Sequence, residues 1–180
     1  MLSLRWFAVA LVMGSAGAGL GAKVPDSAAC AGQCELRVGY RVDPMFSDDE
    51  RMVIAEAARA WERGSNGRVC FYEGGHDLSF YRINDPRDLE PEDPDWAKHV
   101  ALCKAGRIWF VAPRVDDREE YVALAIHEIG HFIGLSHIED TKTTFMHSTI
   151  SETPLPLRAS GEIPERDRRE FCKVRGCVCR

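Results

Sequence analysis

Apolar and polar positions alternate from Glu35 to Val42 (ELRVGYRV), the period of a strand with one buried face. The pattern then becomes helical. Val53, Ile54, Ala57, Ala58 and Trp61 recur at three- and four-residue intervals, leaving Glu56 and Arg59 on the other face. Ser47, Asp48, Asp49 and Glu50 supply a cap and first-turn acids, and Gly64 is expected to end the helix. Arg68 to Tyr72 and Leu78 to Ile83 read as further strands, and Asn84 to Trp96, with three prolines, as a loop. Gly106 precedes the clearest strand, Arg107 to Val111. Asp116 and Asp117 open a long helix running through Tyr121, Ala125 and Ile126 toward Gly134. An irregular stretch with Pro154 and Pro156 follows, and a last helix begins near Pro164. This order predicts an α+β (α/β-like) domain with one central helix after the sheet.

The N-terminus departs from this pattern. Arg5, an apolar run from Trp6 to Met13, and small residues from Gly14 to Ala18 have the layout of a secretory signal peptide. Cleavage is expected after Ala18 or Ala22, and the apolar run is too short to span a bilayer. Residues 1–22 are therefore read as the signal and 23–180 as one domain, secreted or periplasmic and monomeric. All seven cysteines (Cys30, Cys34, Cys70, Cys103, Cys172, Cys177 and Cys179) lie beyond that cleavage point, which in an exported chain suggests disulfides. Seven is odd, so at least one is free, paired between chains or modified. Cys30 follows Ser27-Ala28-Ala29 and loosely fits a lipid-anchor site, although Ser27 stands where leucine is usual. A formal charge of −5, without a clustered basic surface, argues against a nucleic-acid partner.

Chemistry concentrates between His127 and His137, in His-Glu-Ile-Gly-His-Phe-Ile-Gly-Leu-Ser-His. His127 and His131 are four apart, so on a helix they share one face, a turn apart, at a spacing that suits two nitrogens on one zinc ion. Glu128, one residue round, can approach a water at that metal without ligating it. Gly134 permits the left-handed turn that would bring His137 back as a third ligand. Three neutral nitrogens leave a fourth position open, as expected of a catalytic zinc. The five fixed positions would coincide by chance in about one chain of this length in a hundred thousand.

This segment resembles the extended zinc motif of the metzincins, HExxHxxGxxH, at every fixed position. Metzincins also carry a methionine in a tight turn below the metal, and Met146, nine residues after His137, is placed for that role. The interval resembles the matrixin branch and the bacterial HEIGH-type peptidases. The resemblance implies a zincin domain with a twisted, mainly parallel sheet, an active-site helix and a C-terminal helix. It also implies zinc on His127, His131 and His137, Glu128 as general base, and a protein or peptide substrate. The substrate would pair with an edge strand, placed near Lys98 to Leu102, while His147 to Leu157 would wall its pocket. Pro154 to Leu157 hints at an apolar preference. Ser148 stands where astacin- and serralysin-like members have a tyrosine, so a tyrosine that swings on and off the metal is not expected. His76, Asp77 and His99 are a weak match to a second, structural zinc site.

The expected function is thus a secreted zinc endopeptidase. The alternatives are an inactive zinc-binding recognition module, against which Glu128 argues, or a zinc amidase acting on a non-protein substrate. A latent protease, with Cys177 or Cys179 reaching the zinc, is a third.

Overall fold

A computed structural model describes residues 35–85, 87, 100–111 and 117–177. The expected signal segment, Cys30, Cys34, His99, Asp116, Cys179 and most of the 84–96 loop lie outside the described residues. In chain order the elements are β1 (Leu36–Val42), α1 (Asp48–Gly64), β2 (Val69–Glu73), β3 (Leu78–Ile83), β4 (Ala101–Lys104), β5 (Arg107–Val111), α2 (Arg118–Phe132), α3 (Leu155–Ser160) and α4 (Glu165–Arg175).

The sheet order is β2-β1-β3-β5-β4. β1 pairs in parallel with β2 and with β3, and β3 in parallel with β5. Only the β4–β5 hairpin is antiparallel. Its two-residue loop needs left-handed backbone at both positions, which Ala105 (φ 51°) and Gly106 (φ 73°) adopt. The α+β architecture with a mainly parallel sheet is therefore observed.

Helix α1 begins as its sequence dictates. The Ser47 side chain accepts from the Glu50 N–H, and the Glu50 carboxylate accepts from the Ser47 N–H. Gly64 ends the helix as expected, being its last residue, but it does not make the turn. The chain turns at Asn66 (φ 54°) and Gly67 (φ 73°), whereas Gly64 lets Ile163 pack so closely that a Cβ there would collide with it. The stretch containing Pro154 and Pro156 is not irregular. It holds a short 3-10 turn at Ile150–Glu152 and then α3, with Pro156 in the first turn, where proline's missing N–H costs no helical bond. Helix α4 starts directly after Pro164 and is closed by left-handed Gly176.

The main core lies between the sheet and the paired helices α1 and α2, with Trp61, Phe80, Phe110, Ile126 and Ile129 fully buried. The Trp61 indole N–H donates to the Ile126 carbonyl (2.8 Å), fixing how α2 sits against α1. Cys70 and Cys172 are each held in a disulfide, while Cys103 and Cys177 are free thiols. No described helix is long and apolar enough to cross a membrane.

Candidate metal centre and cleft

Helix α2 starts at Asp117, whose carboxylate accepts from the Glu120 N–H (2.7 Å). It is buried without interruption from Tyr121 to Gly130, so polar His127 and Glu128 are carried into the interior. The helix ends at Ile133, and Gly134 takes φ 106°, the left-handed turn expected of it. The chain then folds back, with Leu135 N–H donating to the Gly130 carbonyl, and returns His137 to the other two histidines.

His131 Nε2 lies 3.0 Å from His127 Nε2 and 3.1 Å from His137 Nε2. The other ring nitrogens explain this convergence. His127 Nδ1 is 2.6 Å from the Phe145 carbonyl, and His131 Nδ1 is 2.9 Å from the Leu135 carbonyl. A carbonyl can only accept, so each Nδ1 carries the proton and each Nε2 presents a lone pair. Lone pairs at 3 Å repel unless a cation lies between them. Two nitrogens at 2.0–2.1 Å from one tetrahedral ion are about 3.3 Å apart, so the residues present fit a zinc-sized ion. Burial and the neighbouring rings push the His127 imidazole down to about 3, and burial pulls His131 down too, so both stay neutral at pH 7.

The turn under these rings is built by α4. Asp167, fully buried, accepts from the Phe145 N–H (2.8 Å) and from the Thr144 hydroxyl. That hydroxyl accepts from Met146 N–H (2.9 Å), and the Thr153 hydroxyl donates to the Thr144 carbonyl. One peptide thus links Asp167 to His127, because the N–H of Phe145 is held by the first and its C=O holds the second. Burial raises Asp167 to about 6, against the lowering effect of these bonds. Met146 is fully buried against α2, where a Cβ on Gly130 would collide with its sulfur.

Glu128 faces the cleft beside the histidines. The Cys103 backbone N–H donates to its carboxylate, while Oε2 has no partner among the described residues. Burial pushes this carboxyl up to about 8, the Cys103 bond opposing. The cavity here measures about 560 Å³, with α2 as its floor, β4 as one wall and residues 148–151 as the other. Ser148 lines it, as expected of the walling loop, but Leu155 is exposed and residues 154–157 do not, so the apolar hint has no structural counterpart.

The remaining expectations fare unevenly. The edge strand is Ala101–Lys104, overlapping the expected segment only at its end. The Asp77 carboxylate accepts from the Gly39 N–H, and His76 joins no metal-binding cluster among the described residues, His99 lying outside them. Among the described residues the three histidines form the one such group. Cys177, one of the two thiols of the latent-protease alternative, packs against the core and is not among the residues lining the cleft, and Cys179 lies outside the described residues. Sequence reasoning missed Asp167, Cys103 and Glu120. Asp167 carried no signal, being one acid among many in a polar helix. Glu120 carried one: seven residues before His127, it shares that residue's face of α2.

Comparison with known proteins places this geometry. The matrixin family model matches residues 33–170. No curated protein matches the chain. Among solved structures, archaemetzincin from Methanopyrus kandleri shares the fold, at 14% identity and a TM-score of 0.51. The alignment covers 78% of this chain and 96% of that one. Because the family model spans most of its length, the chain belongs to the matrixins, zinc metallopeptidases of the metzincin group.

Proposed function

We propose that the chain is a secreted zinc endopeptidase, with His127, His131 and His137 as metal ligands and Glu128 as general base. The observation that carries this reading is the convergence of three Nε2 atoms while the Nδ1 atoms of two rings are held as donors by carbonyls. Zinc, when bound, supplies a Lewis acid and lowers the pKa of water toward ~7.

The remaining chemistry belongs to the chain. A cation on the three histidines would favour the ionised form of Glu128 over the neutral one that burial alone favours. The carboxylate then takes a proton from the attacking water on its unpartnered Oε2 and passes it to the departing amide nitrogen. The Cys103 N–H holds the other end of that carboxylate and so aims it. Edge strand β4 receives the substrate. Val111 N–H donates to the Val100 carbonyl, so by alternation the N–H and C=O groups of Ala101 and Cys103 point outward from the sheet; the Cys103 N–H is held by Glu128, and the other three remain for a substrate. An extended peptide can pair there on both sides of the scissile bond, which favours internal cleavage over trimming of ends. Met146 supports the ligand helix from below. Residues 1–22 act as the export signal and 23–180 as a monomeric catalytic domain.

The test is digestion of a mixed peptide pool by the zinc-loaded protein beside its Glu128→Ala variant. Internal cleavage by the wild type alone, abolished by a chelator, is expected. If both proteins bind zinc and neither cleaves, the reading gives way to an inert recognition module or an amidase acting on another substrate.

A further inference from the structure

We propose that Glu120 makes the pocket beside the metal centre selective for a lysine or arginine immediately after the scissile bond. This rests on the endopeptidase reading and adds to it the class of side chain that the cleft receives.

The argument begins with α2. Glu120, Leu124, His127, Glu128 and His131 fall within about a quarter of its circumference, and all five line the same cavity. At a rise of 1.5 Å per residue, Glu120 sits about 10 Å along the axis from His127, about the reach of an extended basic side chain held by its backbone at the metal. Between the two ends the pocket is apolar, with Leu124 on the floor and Leu102 and Ile150 on the walls. Such a passage suits the methylene stem of lysine or arginine, whose charged head requires a partner at the end.

Glu120 is placed to be that partner. Among the described residues no lysine or arginine lines the cavity. The Glu120 carboxylate is only partly exposed and makes no ion pair or side-chain hydrogen bond with the described residues. A purely helical role would not need it here. Asp117 already caps α2, and Glu119, exposed in the same turn, supplies a favourable first-turn charge without facing the cleft. Nearby acids behave differently: Glu56 pairs with Arg118 and Glu50 with Arg82. A pocket with one anionic end and an apolar shaft discriminates by charge, because an aspartate or glutamate would face Glu120 and a leucine would leave it unused.

The experiment uses matched peptides differing only in the residue after the scissile bond: arginine, lysine, leucine or glutamate. The zinc-loaded wild type is compared with Glu120→Gln and Glu120→Arg, each checked for zinc content and circular dichroism. The wild type is expected to show kcat/KM at least tenfold higher for arginine or lysine than for leucine. Glu120→Gln should collapse that ratio, and Glu120→Arg should reverse it in favour of glutamate. Binding is read separately on the Glu128→Ala background, where adding Glu120→Gln should remove the tighter binding of the arginine peptide. Cleavage with no basic preference, or with a ratio that Glu120→Gln leaves unaltered, overturns this inference and leaves the peptidase standing. Failure to cleave or bind any peptide overturns both.

Discussion

Helices α1 and α2 pack against each other, yet they are built on opposite plans. α1 has one buried stripe, an exposed polar face and a reciprocal cap, so every feature of it serves folding. α2 is buried from Tyr121 to Gly130 and carries an imidazole and a carboxylate inside, where desolvation opposes the charge on each. It is held less by its own periodicity than by other parts of the chain. Trp61 bonds its Ile126 carbonyl, the Phe145 carbonyl fixes His127, and Asp167 fixes Phe145. A helix whose duty is packing can be specified locally. A helix that holds reactive groups in place is specified by contacts from distant segments, and its stability is coupled to whatever the site binds.

Metal removal should expose that coupling most strongly. With free zinc a thousandfold above its dissociation constant, binding stabilises the fold by about 4 kcal/mol. Stripping the protein with a chelator should remove this increment, measured by denaturant unfolding with and without zinc. Hydrogen exchange should rise in α2 far more than in α1. Equal loosening of both helices would sink the contrast.

The next largest effect is a pH dependence of about 3 kcal/mol at Asp167. Its folded value, about 6, lies above the ordinary 3.8, so folding takes up a proton between those values. The stability tied to the neutral carboxyl is full below about pH 4 and is lost as pH rises through 6. Asp167→Asn cannot ionise. Subtracting its unfolding free energy from that of the wild type cancels the histidines and Glu128, which titrate in both chains. The variant should gain on the wild type between pH 4 and 6 and run parallel to it above 7. A flat difference would show that Asp167 does not carry its charge into the core.

Trp61→Phe is the direct break of the α1–α2 link. It deletes the indole N–H that reaches Ile126 and leaves a gap beside Phe171, 6.3 Å away between ring centres. A cost of about 2 kcal/mol is expected. Zinc affinity should also weaken, because the bond seats the turn just before His127. Loss of stability at full zinc affinity would mean that α2 is held to the site by Asp167 and Met146 alone.

How far the sequence could be read follows from the same contrast. The stripe and cap of α1 were legible because cause and effect lie within one helix. α2 was legible through its motif, since the spacing of His127, His131, Gly134 and His137 is set by helix geometry and one turn. What escaped was non-local. Asp167 acts 40 residues beyond His127 by way of a peptide group, and no side-chain pattern records that. Edge strand β4 has four residues and takes its identity from pairing with β5, so its own alternation is too short to read. Gly64 marked the end of α1 correctly but left the reason open, because a glycine near a helix end suits both a turn and a close contact. Only the position of Ile163 decides between them.

Ser47→Ala sets the lower bound. It removes the hydroxyl that accepts from Glu50 N–H and half of the reciprocal cap, at the solvent-exposed start of α1. The expected cost is about 1 kcal/mol, read as a lower midpoint in denaturant. What matters is the company this loss keeps. Zinc affinity, the zinc-dependent stability increment and peptide cleavage should match the wild type, because the defect lies at the opposite end of α1 from Trp61, whose indole bonds α2 one residue before His127. If so small and distant a lesion weakened zinc binding, α1 and α2 would have to be treated as one cooperative element, and the division between a packing helix and a site helix would fail.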